Sequence, residues 1–223
     1  MRINILQHTP NEGPGSIASW ALSRGHDFVV YHPYFFEGVL PKASETDLLV
    51  ILGGPMSPND DLPWIKTERI LIRELIEAGK PIFGACYGAQ QIARTLGAKI
   101  MKSPYKEVGW AEVTRQVNII PNMPEKIPVL HWHEEMFEIP DKGQLLFSSH
   151  LVKNQGYLYK NNIVGLQFHL EPRQNDVNEV VINDFSYSLK NNALKQSSQD
   201  ILNQIVPLTN QDAMYSILDF ITK

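Results

Sequence analysis

Cys86 is the only cysteine among the 223 residues, and its neighbours are those of a nucleophile. It stands in Phe83-Gly84-Ala85-Cys86-Tyr87-Gly88-Ala89-Gln90, where glycines at both second neighbours give the spacing G-x-C-x-G. This is the G-x-S-x-G pattern of the nucleophile elbow with sulfur in place of the hydroxyl. Pro81 to Ala85 reads as a short buried strand bounded by Gly79, with the proline at its first position, where no ladder donor is required. The period then changes. Ala89, Ile92, Ala93 and Leu96 fall at i, i+3, i+4 and i+7, the apolar face of a helix that Gly97 stops. Cys86 is therefore expected on a strand-to-helix turn. Side chains at positions 84 and 88 would collide there with neighbouring backbone, and the sharp turn holds the nucleophile in a strained conformation. The free N–H groups and dipole of the helix start favour a thiolate, the form that attacks carbonyl carbon. A lone cysteine is otherwise a small buried hydrophobe, and the flanking glycines weigh against that reading.

A thiolate nucleophile needs a base that later returns a proton to the leaving group, and the base needs an orienting acceptor. Gly165-Leu-Gln-Phe-His169-Leu-Glu171-Pro172 offers both. On an extended segment the period of two puts His169 and Glu171 on one side, and Pro172 ends the strand. A solvated histidine and glutamate at a strand end is the plainer alternative, and spacing alone does not bring position 169 to position 86. A rival cluster is His131-Trp-His133-Glu134-Glu135, where two imidazoles on one strand face beside a carboxylate make part of a zinc ligand set. The helical H-E-x-x-H signature is absent and spacing fixes no third ligand, so neither a metal nor another cofactor is expected. His8, His26, His32 and His150 carry no pattern and are expected on the surface or in loops. Gly53-Gly54-Pro55 can present a bare backbone N–H to a ligand or can simply be a tight turn.

These residues need a scaffold that aims them at one place. Arg2 to Leu6, Asp27 to Tyr31 and the apolar run Asp47 to Leu52 read as strands, the last covered on both faces. A short helix carrying Ile17, Trp20 and Ala21 ends near Gly25, and a loop is expected from His32 to Glu45. Pro63 suits the first turn of a helix with Trp64, Leu71, Ile72, Leu75 and Ala78 along one side. Strands alternating with helices over the first hundred residues imply an open, mostly parallel α/β sheet, in which ligands gather at the carboxyl ends of strands. Gly53-Gly54-Pro55 and Cys86 both fall at such ends. From Lys99 short strands take over at Trp110 to Thr114, Val129 to His133, Gln144 to Ser148, Gly156 to Lys160 and Ile163 to Phe168. They predict added antiparallel strands, with a turn at Lys160-Asn161-Asn162-Ile163. The tail from Asp176 is expected to be helical, with Met214, Ile217, Leu218 and Ile221 at helical spacing. Asn191 to Gln199 is polar enough to be a mobile connection.

Hydrophobic residues make up 43% and charged residues 20% of the chain, as expected for a soluble globular protein. A net charge of −4 leaves no electrostatic footprint for nucleic acid. There is no apolar run of about 18 residues and no leader pattern, so neither a membrane span nor a signal peptide is expected. A single cysteine excludes an internal disulfide, and these features together predict a cytoplasmic protein.

Taken together, the motifs resemble the class I (triad) glutamine amidotransferases, most closely stand-alone proteins similar to the amidotransferase domain of guanosine monophosphate synthetase. The likeness runs from about residue 45 to 172. It rests on Gly53-Gly54-Pro55-Met56-Ser57, Gly84-Ala-Cys86-Tyr-Gly-Ala-Gln90, Glu107-Val-Gly-Trp110, His131-Trp-His133 and Gly165-Leu-Gln-Phe-His169-Leu-Glu171 in the family's order. The resemblance implies a flavodoxin-like α/β fold, an amidotransferase domain over residues 1–190, and a helical extension over 191–223 packed on it. It implies that Cys86 is the nucleophile, His169 the base and Glu171 its orienter. The amides of Gly54 and Tyr87 would form the oxyanion hole, and Gln90, Gly53 and His133 would contact the substrate. Leu170 replaces the family's usual proline, and Glu134-Glu135 replaces its usual glycine and aspartate. The implied reaction hydrolyses the side-chain amide of glutamine through a γ-glutamyl thioester. The ammonia would pass to a separate synthase, since the chain has no Walker-type loop. The alternative is a free-standing γ-glutamyl peptidase or hydrolase. Oligomeric state is not legible.

Overall fold

The computed structural model describes every residue except Phe36 and Glu37, and describes Ser188 and Leu189 by backbone alone. Those first two positions, inside the loop expected from His32 to Glu45, lie outside the described residues. The first half alternates as expected: β1 (Arg2–Leu6), α1 (Gly15–Ser23), β2 (Asp27–Tyr31), β3 (Leu48–Ile51), α2 (Pro63–Glu77), β4 (Ile82–Ala85) and α3 (Tyr87–Thr95). Five strands follow: β5 (Ile100–Arg115), β6 (Lys126–Phe137), β7 (Gln144–Ser149), β8 (Gly156–Tyr159) and β9 (Ile163–Leu166). The chain ends in α4 (Gln174–Asn183), α5 (Phe185–Leu189), α6 (Ser198–Asn203) and α7 (Leu208–Ile221).

All the strands join one mixed sheet in the order β2-β1-β3-β4-β9-β8-β7-β5-β6. The first five run parallel, and the last pairs are antiparallel. Period-two burial explains why the parallel strands read as unbroken apolar runs. Leu48, Val50 and Leu52 face the cluster covered by α1 and α7, while Leu49 and Ile51 face the cluster under α2 and α3. Each such aliphatic side chain contributes about 1.5–3 kcal/mol when fully buried. In α7, Met214, Ile217, Leu218 and Ile221 enter the first of these clusters. Its Asp219 accepts from the Trp20 indole at 2.8 Å and pairs with Arg24 at 2.8 Å. Among the described residues no helix is long and apolar enough to cross a membrane.

Two expectations need correction. The strand predicted to reach Phe168 ends at Leu166 because the chain bends there to carry His169 across to Leu130, whose carbonyl accepts the His169 amide at 2.9 Å. The polar stretch Asn191 to Gln199 is not a free connection. Asn192 Nδ2 donates to the Val108 carbonyl at 2.7 Å and its Oδ1 accepts the Val108 amide at 3.1 Å. Gln196 does the same for Trp110, at 2.7 and 2.8 Å. These side-chain amides stand in for a neighbouring strand beside β5, whose buried backbone groups need partners.

The register positions the site. Ile51 pairs with Gly84 and Ala85 with Leu166, so β3, β4 and β9 end side by side. Gly53-Gly54, Cys86 and Gln167 to His169 therefore leave the sheet at one edge, as open parallel sheets favour for ligand sites.

Candidate active site

Cys86 sits between β4 and α3 with φ 50° and ψ −111°. A non-glycine residue in this region carries strain of about 1–3 kcal/mol, and surrounding contacts must impose it. The Cys86 amide donates to the Leu166 carbonyl at 2.8 Å, and its own carbonyl accepts from Gln90 at 3.1 Å. Both glycines of the elbow are required by close approach. A β-carbon at Gly84 would stand 2.6 Å from the Gly88 carbonyl carbon, and one at Gly88 would stand 2.0 Å from the Ile51 oxygen.

Cys86 is 8% exposed and borders a crevice of about 520 Å³. Gly54, Tyr87 and Gln90 line it, as do Trp132, His133 and the Glu134-Glu135 pair. At the first helical position of α3 the Tyr87 amide has no intrahelical acceptor. Among the described residues no backbone carbonyl accepts the Gly54 amide either. Gln90 reaches Gln167 at 3.2 Å, and Gln167 Nε2 approaches the Cys86 sulfur at 3.8 Å.

His169 and Glu171, both almost wholly buried, lie side by side with Nδ1 2.5 Å from Oε1. The second carboxylate oxygen of Glu171 accepts the Leu170 amide at 3.0 Å, which fixes the carboxylate's plane. Leu170, in the place of the family's usual proline, supplies that N–H. The imidazole Nε2 is buried without a regular hydrogen bond. Burial by itself would depress the His169 pKa, but the Glu171 carboxylate and the neighbouring Cys86 sulfur hold it well above the ordinary histidine value.

The His131–His133 cluster has a different organisation from the one spacing suggested. Its third group is Glu107, paired across the ladder with His133, and not Glu134 or Glu135. His133 Nε2 lies 3.1 Å from Glu107 Oε2 while Nδ1 donates to the Glu135 carbonyl at 3.0 Å. Ser149 and Gln155 donate to Glu107, at 2.9 and 2.6 Å. The carboxylate is therefore already satisfied by a buried polar network tying β5 and β6 to β7 and the approach to β8. Burial holds the neighbouring His131 neutral, with its pKa down at about 4.

Three residues near the crevice escaped the sequence reading. His8, expected at the surface, is buried beneath Gly54, with Nε2 2.9 Å from Glu68 and its ring tilted against Tyr87. Glu68 gave a signal, since it falls on the apolar face of α2 between Ile65 and Leu71, where a charge requires a partner. Glu12 lies over Gly53, where a β-carbon would stand 2.0 Å from its Oε2 and 3.0 Å from His169 Cε1. Its position on an irregular loop offered no periodic signal.

Known proteins give a consistent placement. The family model for glutamine amidotransferase class-I matches residues 16–189. The glutamine amidotransferase-like protein YfeJ of Salmonella typhimurium is 32% identical over 181 residues, covering 77% of this chain and 76% of that one. One subunit of the glutamine-hydrolyzing GMP synthase of Thermoplasma acidophilum is 29% identical over 143 residues, covering 62% of this chain and 70% of that one. The chain spans about a third of the length of the bacterial GMP synthases that it also matches. The crystal structure of a glutamine amidotransferase from Methylobacillus flagellatus superposes with a TM-score of 0.90 at 25% identity, covering 99% of this chain and 93% of that one. The chain belongs to the class I glutamine amidotransferase family and is an enzyme of that type.

Proposed function

We propose that this protein hydrolyses the side-chain amide of glutamine by a Cys86–His169–Glu171 triad. The observation that carries the reading is the meeting, at one sheet edge, of a strained cysteine and a carboxylate-braced imidazole. The Cys86 thiolate attacks the amide carbonyl carbon, and the developing oxyanion rests on the Gly54 and Tyr87 amides. Loss of one such donor costs about 3 kcal/mol of barrier in comparable sites. The His169 imidazolium then gives its proton to the amide nitrogen, the C–N bond breaks, and ammonia departs, leaving a γ-glutamyl thioester. Neutral His169 next takes a proton from water, the hydroxide adds to the thioester carbonyl, and collapse releases glutamate and the thiolate. Glu171 holds the Nδ1 proton throughout, so that Nε2 always faces the reacting atoms. Gln90 lines the crevice beside the sulfur and supplies an amide group that helps hold the substrate, while the buried Gln167 fixes its orientation.

A relative named as a synthase subunit supports delivery of the ammonia to a separate synthase chain. The second reading, a free-standing γ-glutamyl hydrolase, draws on the shape of the crevice. It shares Lys102, Glu134, Asp184 and Tyr187 with an adjoining groove of about 560 Å³, room for a leaving group larger than ammonia. The chemistry at sulfur is the same in both. A substrate panel tests them: glutamine and γ-glutamyl dipeptides, with wild type and Cys86→Ala, following ammonia and free amine. Faster glutamine turnover, lost in the variant, supports the amidotransferase; faster dipeptide turnover supports the hydrolase; turnover surviving in Cys86→Ala refutes both.

A further inference from the structure

Beside the Cε1 edge of the His169 ring stands a carboxylate that the triad does not use. Glu12 lies on the loop between β1 and α1, half-buried, and borders the same crevice as Cys86. Its Oε2 and His169 Cε1 both fall within 3.0 Å of the point where a Gly53 β-carbon would stand, so only the bare glycine lets the two approach. Among the described residues the Glu12 carboxylate has no hydrogen-bond or ion-pair partner, whereas three other charged groups that act on it are engaged. Glu171 holds His169, Asp184 accepts the Trp132 indole at 2.9 Å, and His8 is paired with Glu68. Burial raises the Glu12 pKa above the ordinary carboxylate value, with the His169 imidazole pulling it down. That combination describes a carboxylate taken partly out of water, beside the His169 imidazole and without a direct hydrogen-bond partner among the described residues.

The position gives the charge a use. A leaving amine must come to His169 Nε2 to collect its proton, and Nε2 is the ring atom next to Cε1. A group leaving by that route passes Glu12. We infer that Glu12 forms a leaving-group subsite of the crevice and selects amines that carry a positive charge on a second, protonated nitrogen. The inference rests on the acyl-transfer reading above. Lys102, a cation on the same crevice wall, is in register with Glu135 in the β5–β6 ladder, and among the described residues it forms no ion pair with Glu12.

The test is a ratio. Specificity constants would be measured for three γ-glutamyl amides differing in the charge of the amine: ethylenediamine (cationic), ethylamine (neutral) and glycine (anionic). Wild type, Glu12→Gln and Glu12→Asp would be compared. A charged hydrogen bond of this kind is expected to favour the cationic over the neutral amide by about tenfold in wild type, with the anionic amide slowest. Glu12→Gln is expected to bring the cationic-to-neutral ratio close to one, and Glu12→Asp to keep most of it. A merely structural role would lower all three constants together and leave the ratio alone. An unchanged ratio in Glu12→Gln, or a wild-type enzyme that prefers the glycine amide, overturns the subsite while leaving the triad standing. Turnover of glutamine with none of the three amides also overturns it. Failure to turn over any γ-glutamyl compound, with no acyl adduct on Cys86, overturns both. Should Glu12→Gln fail to fold, the wild-type ratio and the Glu12→Asp variant still decide.

Discussion

Glu171→Gln is the substitution whose effect follows most directly from the geometry. It keeps the shape of the side chain and a group able to face His169, and it removes one negative charge from a pair whose atoms lie 2.5 Å apart. Both side chains are 4% exposed, so solvent screens the pair weakly. At an effective dielectric constant of about 20, unit charges about 4 Å apart interact by roughly 4 kcal/mol. Part of that is recovered because a neutral glutamine is easier to bury than a carboxylate, leaving a loss of about 2–4 kcal/mol of imidazolium stabilisation. The expected fall in kcat/KM for glutamine is about 30- to 1,000-fold. The sign of the pH effect follows from the same charge. The reactive pair needs His169 protonated, and Glu171 holds that pKa above the ordinary histidine value after burial has pushed it down. Activity is present below the folded pKa and is lost as pH rises through it, so removing Glu171 must move the alkaline limb of the profile to lower pH. The assay is ammonia release from glutamine across the pH range, wild type against variant. A loss under about fivefold, or an alkaline limb that stays in place, would refute the assigned coupling between this carboxylate and the imidazole.

Gly88→Ala tests the elbow sterically. Its β-carbon would stand 2.0 Å from the Ile51 oxygen, a backbone atom that cannot swing aside, so α3 must shift. The expected result is a destabilisation of about 1–3 kcal/mol or more in urea titration together with a loss of hydrolysis. An alanine variant that is as stable and active as wild type contradicts the close packing of α3 on β3. His131 makes a separate prediction about acid stability. Its folded pKa is depressed from 6.5 to about 4, so between those values the unfolded chain binds more protons and stability falls as pH falls. The loss from this group by pH 4 is roughly 3 kcal/mol, and His131→Gln should flatten that part of the stability curve.

The parts of the molecule that were legible in the sequence are those where a local rule decides the structure. Period-two and period-3.6 patterns placed β1 to β4 and α1 to α3 within a residue or two, because each element has one apolar face to bury. The turn at Lys160 and Asn161, both with left-handed backbone, followed from the paired asparagines, a residue type that tolerates that conformation in a hairpin. Gly84 and Gly88 signalled the elbow because their absent side chains are a steric requirement. What the sequence hid was long-range pairing of polar groups. His8 meets Glu68 across 60 residues, and the Asn192 and Gln196 amides serve β5 from more than 80 residues away. The length of β5 was hidden too, since its first half, with Lys102, Pro104, Tyr105 and Lys106, lacks the alternation that marked Trp110 to Thr114. Glu12 is the sharpest case: nothing near it in the chain hints that it will stand over Gly53.

The central claim is that Cys86 is a nucleophile served by His169. A glutamine-like diazoketone incubated with the intact protein, followed by peptide mass mapping, reads this directly. One stoichiometric adduct on Cys86 is predicted, blocked by excess glutamine and formed far more slowly in His169→Ala. An unlabelled Cys86 in an otherwise folded protein, or labelling at the same rate without the imidazole, would contradict it.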